Sequence, residues 1–203
     1  MRFNSHVDRL LAVTVGLVNG LTPGLDGGRQ VLAPTGAALV REVEEAVRGA
    51  AYNPSPTRAQ AEALLPFVEQ ARAVFEAADR GDTARAARLV NALLLDSEAR
   101  AALDEFDGEY HLHFHGPDTT FARGWAAGIA SALAMALGGN IYRRLGVCEA
   151  PACDRVYVDA SRTRTSGSAR PAARAGSRPP PTEPAGEYAA FLTSGGVRPG
   201  LHS

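Results

Sequence analysis

SPTRAQAEALLPFVEQARAVFEAADRGDTARAARLVNALLL, residues 55–95, decides the fold class. Ser55-Pro56-Thr57 reads as a helix entry, after which Leu64, Leu65, Val68, Val74 and Phe75 recur at helical spacing until Gly81 stops the run. Pro66 falls inside it and predicts a kink. Asp82 then supplies a fresh cap for a helix over residues 84–95, with Leu89, Val90, Leu93 and Leu94 as its apolar stripe. On the N-terminal side, Thr35 caps another such segment through Leu39, Val40, Val43 and Val47, ending near Gly49 and leaving Glu42, Glu44 and Glu45 outside. Three stripes need a shared core, so the chain is predicted to be mainly α.

The flanking segments add a small β element. Leu10 to Val18 is apolar and β-branched enough to be either a strand or a buried helix, broken at Leu21-Thr22-Pro23-Gly24. Gly24, Gly27 and Gly28 lack the spacing of a phosphate-binding loop and read as a turn. Tyr110-His111-Leu112-His113-Phe114-His115 alternates strictly, which predicts a short half-buried strand with its three histidines on one face. An Ala-rich helix comes next over residues 119–137, with Trp125, Ile129, Leu133 and Leu137 at helical intervals before Gly138-Gly139. The expected class is α+β with helices dominant.

Composition bounds the function. The 203 residues, 45% of them apolar, suffice for one ordinary domain plus an appendage. With 21 basic against 22 acidic residues there is no global pull toward nucleic acid or membrane. The local exception is the stretch from Arg143 to Arg178, rich in arginine and poor in acids. No uninterrupted apolar run of roughly 18 to 20 residues is evident, and the N-terminus lacks a signal-peptide layout, so a cytoplasmic protein is expected. There is no G-x-S-x-G elbow and no recognised catalytic cysteine signature, so an enzyme is not expected.

The chemistry concentrates after the last helix. Cys148-Glu149-Ala150-Pro151-Ala152-Cys153 holds the only two cysteines of the chain. Paired thiols in a reducing compartment read as metal ligands before they read as a disulfide. Structural zinc takes four N or S donors, so a second ligand pair is expected shortly downstream. The segment from Ser166 to Ser203 is instead a Pro/Arg/Ser-rich tail without cysteine.

Leu145 to Thr165 resembles the first half of the CGNR zinc finger of bacterial stress-induced transcription regulators. The match runs over Cys148, Cys153, Tyr157, Asp159, Ser161, Arg162 and Arg164 and stops at Thr165. Residues 1 to 140, with Asn19 in Leu17-Val18-Asn19-Gly20 and a strand then a helix before the finger, are similar in layout to the ABATE domain that precedes such fingers. The resemblance implies an ABATE-like domain over residues 1–145, the first finger half over 146–165 and a tail over 166–203. It implies Zn2+ as cofactor on Cys148 and Cys153 and DNA as partner, met by Arg143, Arg144, Arg155, Arg162 and Arg164. It also implies an unknown small-molecule effector in the N-terminal domain, with Asn19 as a candidate contact beside its plainer reading as a cap or turn residue.

The genetic code suggests where the second half went. If residues 166 onward are translated in a shifted frame, the last base of one codon joins the first two of the next. The junction Ser168/Ala169 then permits Cys, Pro171/Ala172 permits Arg and Ala172/Ala173 permits Cys again. Later junctions recover a basic string like the family's tail. For the chain as it stands the expectation is an unfolded finger with negligible zinc and DNA binding. Two other classes compete with the regulator. One is a metal-dependent enzyme on His111, His113 and His115, since imidazole suits several transition metals. The other is an interaction module without DNA affinity.

Overall fold

The structure, a computed structural model, describes residues 5–48, 55–106, 109–115, 120–139 and 142–159. It is mainly helical with small antiparallel sheets: five helices and three two-stranded hairpins among the described residues. The helices are α1 (Ser5–Leu21), α2 (Gly36–Val47), α3 (Arg58–Asp79), α4 (Thr83–Asp96) and α5 (Phe121–Gly138). The hairpins pair β1 (Gly24–Asp26) with β2 (Arg29–Val31), β3 (Arg100–Phe106) with β4 (Glu109–His115), and β5 (Leu145–Val147) with β6 (Val156–Val158).

The ambiguous N-terminal run is a helix. Val7, Leu11, Thr14, Val18 and Leu21 are all buried, and their spacings of four and three residues place them on one helical face. Burial of that stripe overrides the β preference of Val13, Thr14 and Val15. The two buried hydroxyls are satisfied locally, Thr14 Oγ1 donating to the Leu10 carbonyl and Thr22 Oγ1 to that of Val18, both at 2.7 Å.

α3 begins with a capping box. Thr57 Oγ1 accepts from the Gln60 amide at 3.3 Å and Gln60 Oε1 accepts from the Thr57 amide at 2.8 Å. The helix runs unbroken through Pro66. Pro66 lies on the exposed side of the helix. Gly81 ends the segment at φ 74°, and Asp82 caps α4 by accepting from the Arg85 amide at 2.9 Å.

α5 packs against α1, α3 and α4, and α2 covers the α1–α3 side. Small residues make this close: Ala126, Ala127, Ala130 and Ala132 are buried, and a Cβ on Gly128 would stand 3.3 Å from Leu10 Cδ2. α5 reaches 18 residues at a mean hydropathy of 1.2, the length and composition of a membrane span, although Arg123 interrupts it. Of that window 61% is buried inside the protein, the placement of a core helix.

The β3–β4 register opposes Arg100 to His115, Ala102 to His113 and Asp104 to His111. The histidine strand is therefore half of a hairpin whose other half, with Leu103 and Asp104 at its centre, carries no alternation that periodicity could detect. The side chains of His111, His113 and His115 lie outside the described residues.

Candidate metal centre

Both cysteines sit in the chain reversal between β5 and β6. The ladder Leu145↔Val158, Gly146↔Tyr157, Val147↔Val156 is extended by the Cys148 amide donating to the Arg155 carbonyl at 2.8 Å. The chain then turns through residues 149–154, where the Cys153 amide donates to the Ala150 carbonyl at 3.2 Å and Ala152 takes φ 53°. Cys148 is buried, Cys153 is half-buried, and neither is in a disulfide. Gly146 is needed beneath Tyr157, because a Cβ there would meet the ring at 2.8 Å.

Residues 145–158 form a hairpin knuckle that packs on the helical domain, and residues 160–165 of the finger half lie outside the described residues. Leu145 and Val156 belong to the same core as α1, α3 and α5, so packing crosses the boundary placed at residue 145. Polar contacts complete the dock. The β1–β2 hairpin turns through Gly27 and Gly28, whose φ of 56° and 89° suit a primed hairpin turn. Its Gly28 amide donates to the Ala152 carbonyl at 2.8 Å, while the Asp154 amide donates to the Leu25 carbonyl at 3.0 Å. From α3, Asp79 Oδ1 accepts from the Val147 amide at 3.2 Å.

Two sequence candidates take structural roles here. Asn19, expected first as a cap or turn residue and second as a ligand contact, spends its amide on Val156. Nδ2 donates to the Val156 carbonyl at 2.9 Å and Oδ1 accepts from the Val156 amide at 2.8 Å, so it adds a one-residue ladder to the outer edge of β6. Arg155, expected to meet DNA, is 5% exposed. Its Nη1 donates to the carbonyls of Asn19 at 2.8 Å and Thr22 at 3.3 Å, and Nε and Nη2 donate to Asp154 Oδ1 at 3.0 and 2.5 Å. α1 has no basic residue in its own last turn, so Arg155 supplies the missing positive cap from across the chain.

Asp154 is the hub, and no pattern in the sequence singles it out, nor Arg72 and Thr22 with it. Its carboxylate also accepts from the Leu25 amide at 2.9 Å and pairs with Arg72 Nη2 at 3.3 Å. Arg72 in turn donates through Nη1 to Thr22 Oγ1 at 2.9 Å and through Nε to Glu76 at 3.0 Å. Gly24 permits this convergence, since a Cβ there would fall 2.1 Å from Arg155 Nη2 and 2.3 Å from Asp154 Oδ2. No local signal encodes contacts between residues 50 to 129 positions apart.

Burial alone would raise the Asp154 pKa, but the hydrogen bonds from Arg155 and Leu25 and the charges of Arg155 and Arg72 outweigh it and hold the carboxyl below its usual range. A lowered folded-state pKa stabilises above the unfolded-state value and is lost as pH falls through the folded one. The melting-temperature gap between the native chain and Asp154→Asn should therefore be open at neutral pH and close in acid. Its size is modest because the side chain is 36% exposed and solvent screens the pair. A gap constant from pH 7 to acid would refute the ion-pair account.

The remaining arginines divide. Arg143 is exposed on the short 3-10 turn Tyr142–Arg144 at the base of β5. Arg144 is half-buried and donates through Nε to the Asp159 carbonyl, while its own carbonyl accepts from the Asp159 amide at 2.8 Å. Arg162 and Arg164 lie outside the described residues, as does the whole tail.

Zn2+ asks for four N or S donors, and the knuckle supplies two thiols. Among the described residues no group of three or more His, Cys, Asp or Glu is placed to hold a metal ion. Two thiols do not by themselves close a four-donor zinc site. The chain matches no known protein family and no curated protein.

Proposed function

We propose that this chain derives from a transcription regulator in which an effector-binding helical domain, residues 1–145, governs a zinc finger that meets DNA. The observation that carries the reading is the Cys148/Cys153 knuckle: two thiols on one pinned reversal, immediately after an arginine-bearing turn. Half a tetrahedral thiolate site has this form, and the shifted-frame cysteines at the Ser168/Ala169 and Ala172/Ala173 junctions would be the other half. The dock supports a route for control. Asn19 and Thr22 at the end of α1 and Arg72 on α3 grip residues 154–156 directly, so any ligand that shifts α1 against α3 moves the finger's root. Arg143 is the exposed phosphate-contact candidate; Arg155 is withdrawn from that role.

Zinc content and DNA binding test this together. The chain as it stands should purify with negligible zinc, and the frame-restored chain with one ion per molecule. Only the restored chain should shift duplex DNA, with affinity falling steeply as salt rises. A gene whose sequence encodes no cysteine in any phase after Thr165, or a zinc-loaded restored chain indifferent to DNA, would overturn the proposal.

A further inference from the structure

The β3–β4 hairpin takes no part in the proposed function. Its register places Ala101, Leu103 and Glu105 of β3 on one face with Phe114, Leu112 and Tyr110 of β4, and the three histidine positions on the other. Leu103 is 67% exposed and Tyr110 69%, so this largely apolar face stands in solvent toward the hairpin tip. β4 runs beside α5, whereas among the described residues no strand pairs with the outer edge of β3. A seven-residue open edge next to an uncovered apolar face is a template for another strand. We infer that β3 is a homodimer edge, through which two copies of this chain pair antiparallel about a two-fold axis into one four-stranded sheet.

Charge selects the register. Opposite residues of an antiparallel pair share a face, so a two-fold axis normal to the sheet must lie between two copies of the same β3 residue. Centred on Arg100, Asp104 or Glu105, the pairing sets like charges against each other. Centred on Ala101 or Leu103, it matches no opposite charges within the strand. Centred on Ala102, it sets Arg100 opposite Asp104 of the other copy twice over, and Ala101 opposite Leu103, with a small residue at the axis. The same register carries Phe106 of one copy alongside Glu98 of the other. An open concavity of about 430 Å3 lies there, lined by Asn91, Leu94, Leu95, Glu98, Ala99 and Arg100, and Leu95 is 76% exposed. Each hairpin tip therefore arrives at a recess whose exposed leucine it can cover.

The shared edge is short, so association belongs to the small, weak class and shows in a concentration series. Sedimentation of the full chain should show monomer passing reversibly to dimer as concentration rises. Arg100→Asp and Asp104→Arg should each weaken dimerisation by about tenfold or more, since two attractive pairs become two repulsive ones. Mixed one to one, the two variants should dimerise like the native chain, because each then meets the opposite sign at both places. The double variant should do so on its own, and it decides the matter where a single variant fails to fold. A native chain that stays monomeric throughout, a dimer indifferent to both reversals, or a double variant that stays monomeric would each overturn the inference. Zinc and DNA binding are measured separately, so the loss of either reading leaves the other standing.

Discussion

Arg155→Ala should lower the stability of the protein by about 3 kcal/mol, because removing one member of a buried pair strands its partners. The stranded groups are the carbonyls of Asn19 and Thr22, which end α1, and the Asp154 carboxylate. Asp154 retains Arg72 and some solvent, which keeps the cost at the lower end of the range for buried pairs. For a domain of this size the loss amounts to a drop of roughly 10 °C in Tm. The knuckle should also open locally before the helices melt, since its hairpin is short and docked by few contacts. Alkylation of the buried Cys148 reports that opening. Its rate should rise well ahead of any loss of helical circular dichroism. Arg155→Lys should rescue only part, because one ammonium cannot serve two carbonyls and a carboxylate in the planar pattern that the guanidinium uses. A Tm within about 1 °C of the native value, where surface substitutions lie, would show that Arg155 is not the keystone of the dock.

Asn19→Asp is expected to be as damaging as Asn19→Ala, although it changes one NH2 to an oxygen. Val156 is 1% exposed, and its amide and carbonyl have Asn19 as their partner across the gap between α1 and β6. Alanine leaves both groups unpaired at a cost of about 1–3 kcal/mol for each buried polar group. Aspartate keeps the acceptor for the Val156 amide but sets a second, charged oxygen against the Val156 carbonyl at the distance where an N–H had donated. The added charge also falls where Arg155 holds the Asn19 carbonyl, which offsets part of the loss. Thermal melts of the two variants, with backbone hydrogen exchange at Val156, decide the matter. An Asn19→Asp protein that melts like the native chain would mean that the amide is not oriented as described.

These two residues also mark the limit of what is legible in the sequence. The helices over residues 36–47, 58–79, 83–96 and 121–138 can be read from apolar spacing, and the middle two also from caps, because those signals are local: Thr57 with Gln60, Asp82 with Arg85, Gly81 at the break; Thr35, expected to cap the first, makes no side-chain cap bond. The pairing of the two cysteines on one reversal is legible for the same reason, five positions apart with a proline between them. α1 stays ambiguous because its β-branched residues argue one way and its burial argues the other, and burial is a property of neighbours. The first strand of the β3–β4 hairpin and the edges of the knuckle are not legible, since three-residue strands such as β5 and β6 exist only by virtue of what they pair with.

By itself, then, the amino-acid sequence determined the helical stripes, the caps at Thr57 and Asp82 and the placing of two thiols on a short turn, all set by contacts within a few residues. Tertiary structure alone decided that Arg155 and Asn19 face inward. Each carries a polar group that solvent, nucleic acid or a ligand could have taken, and the choice was made by carbonyls and amides 133 to 137 positions away. A polar side chain states what it can bind; only the assembled core fixes which partner comes within about 3 Å.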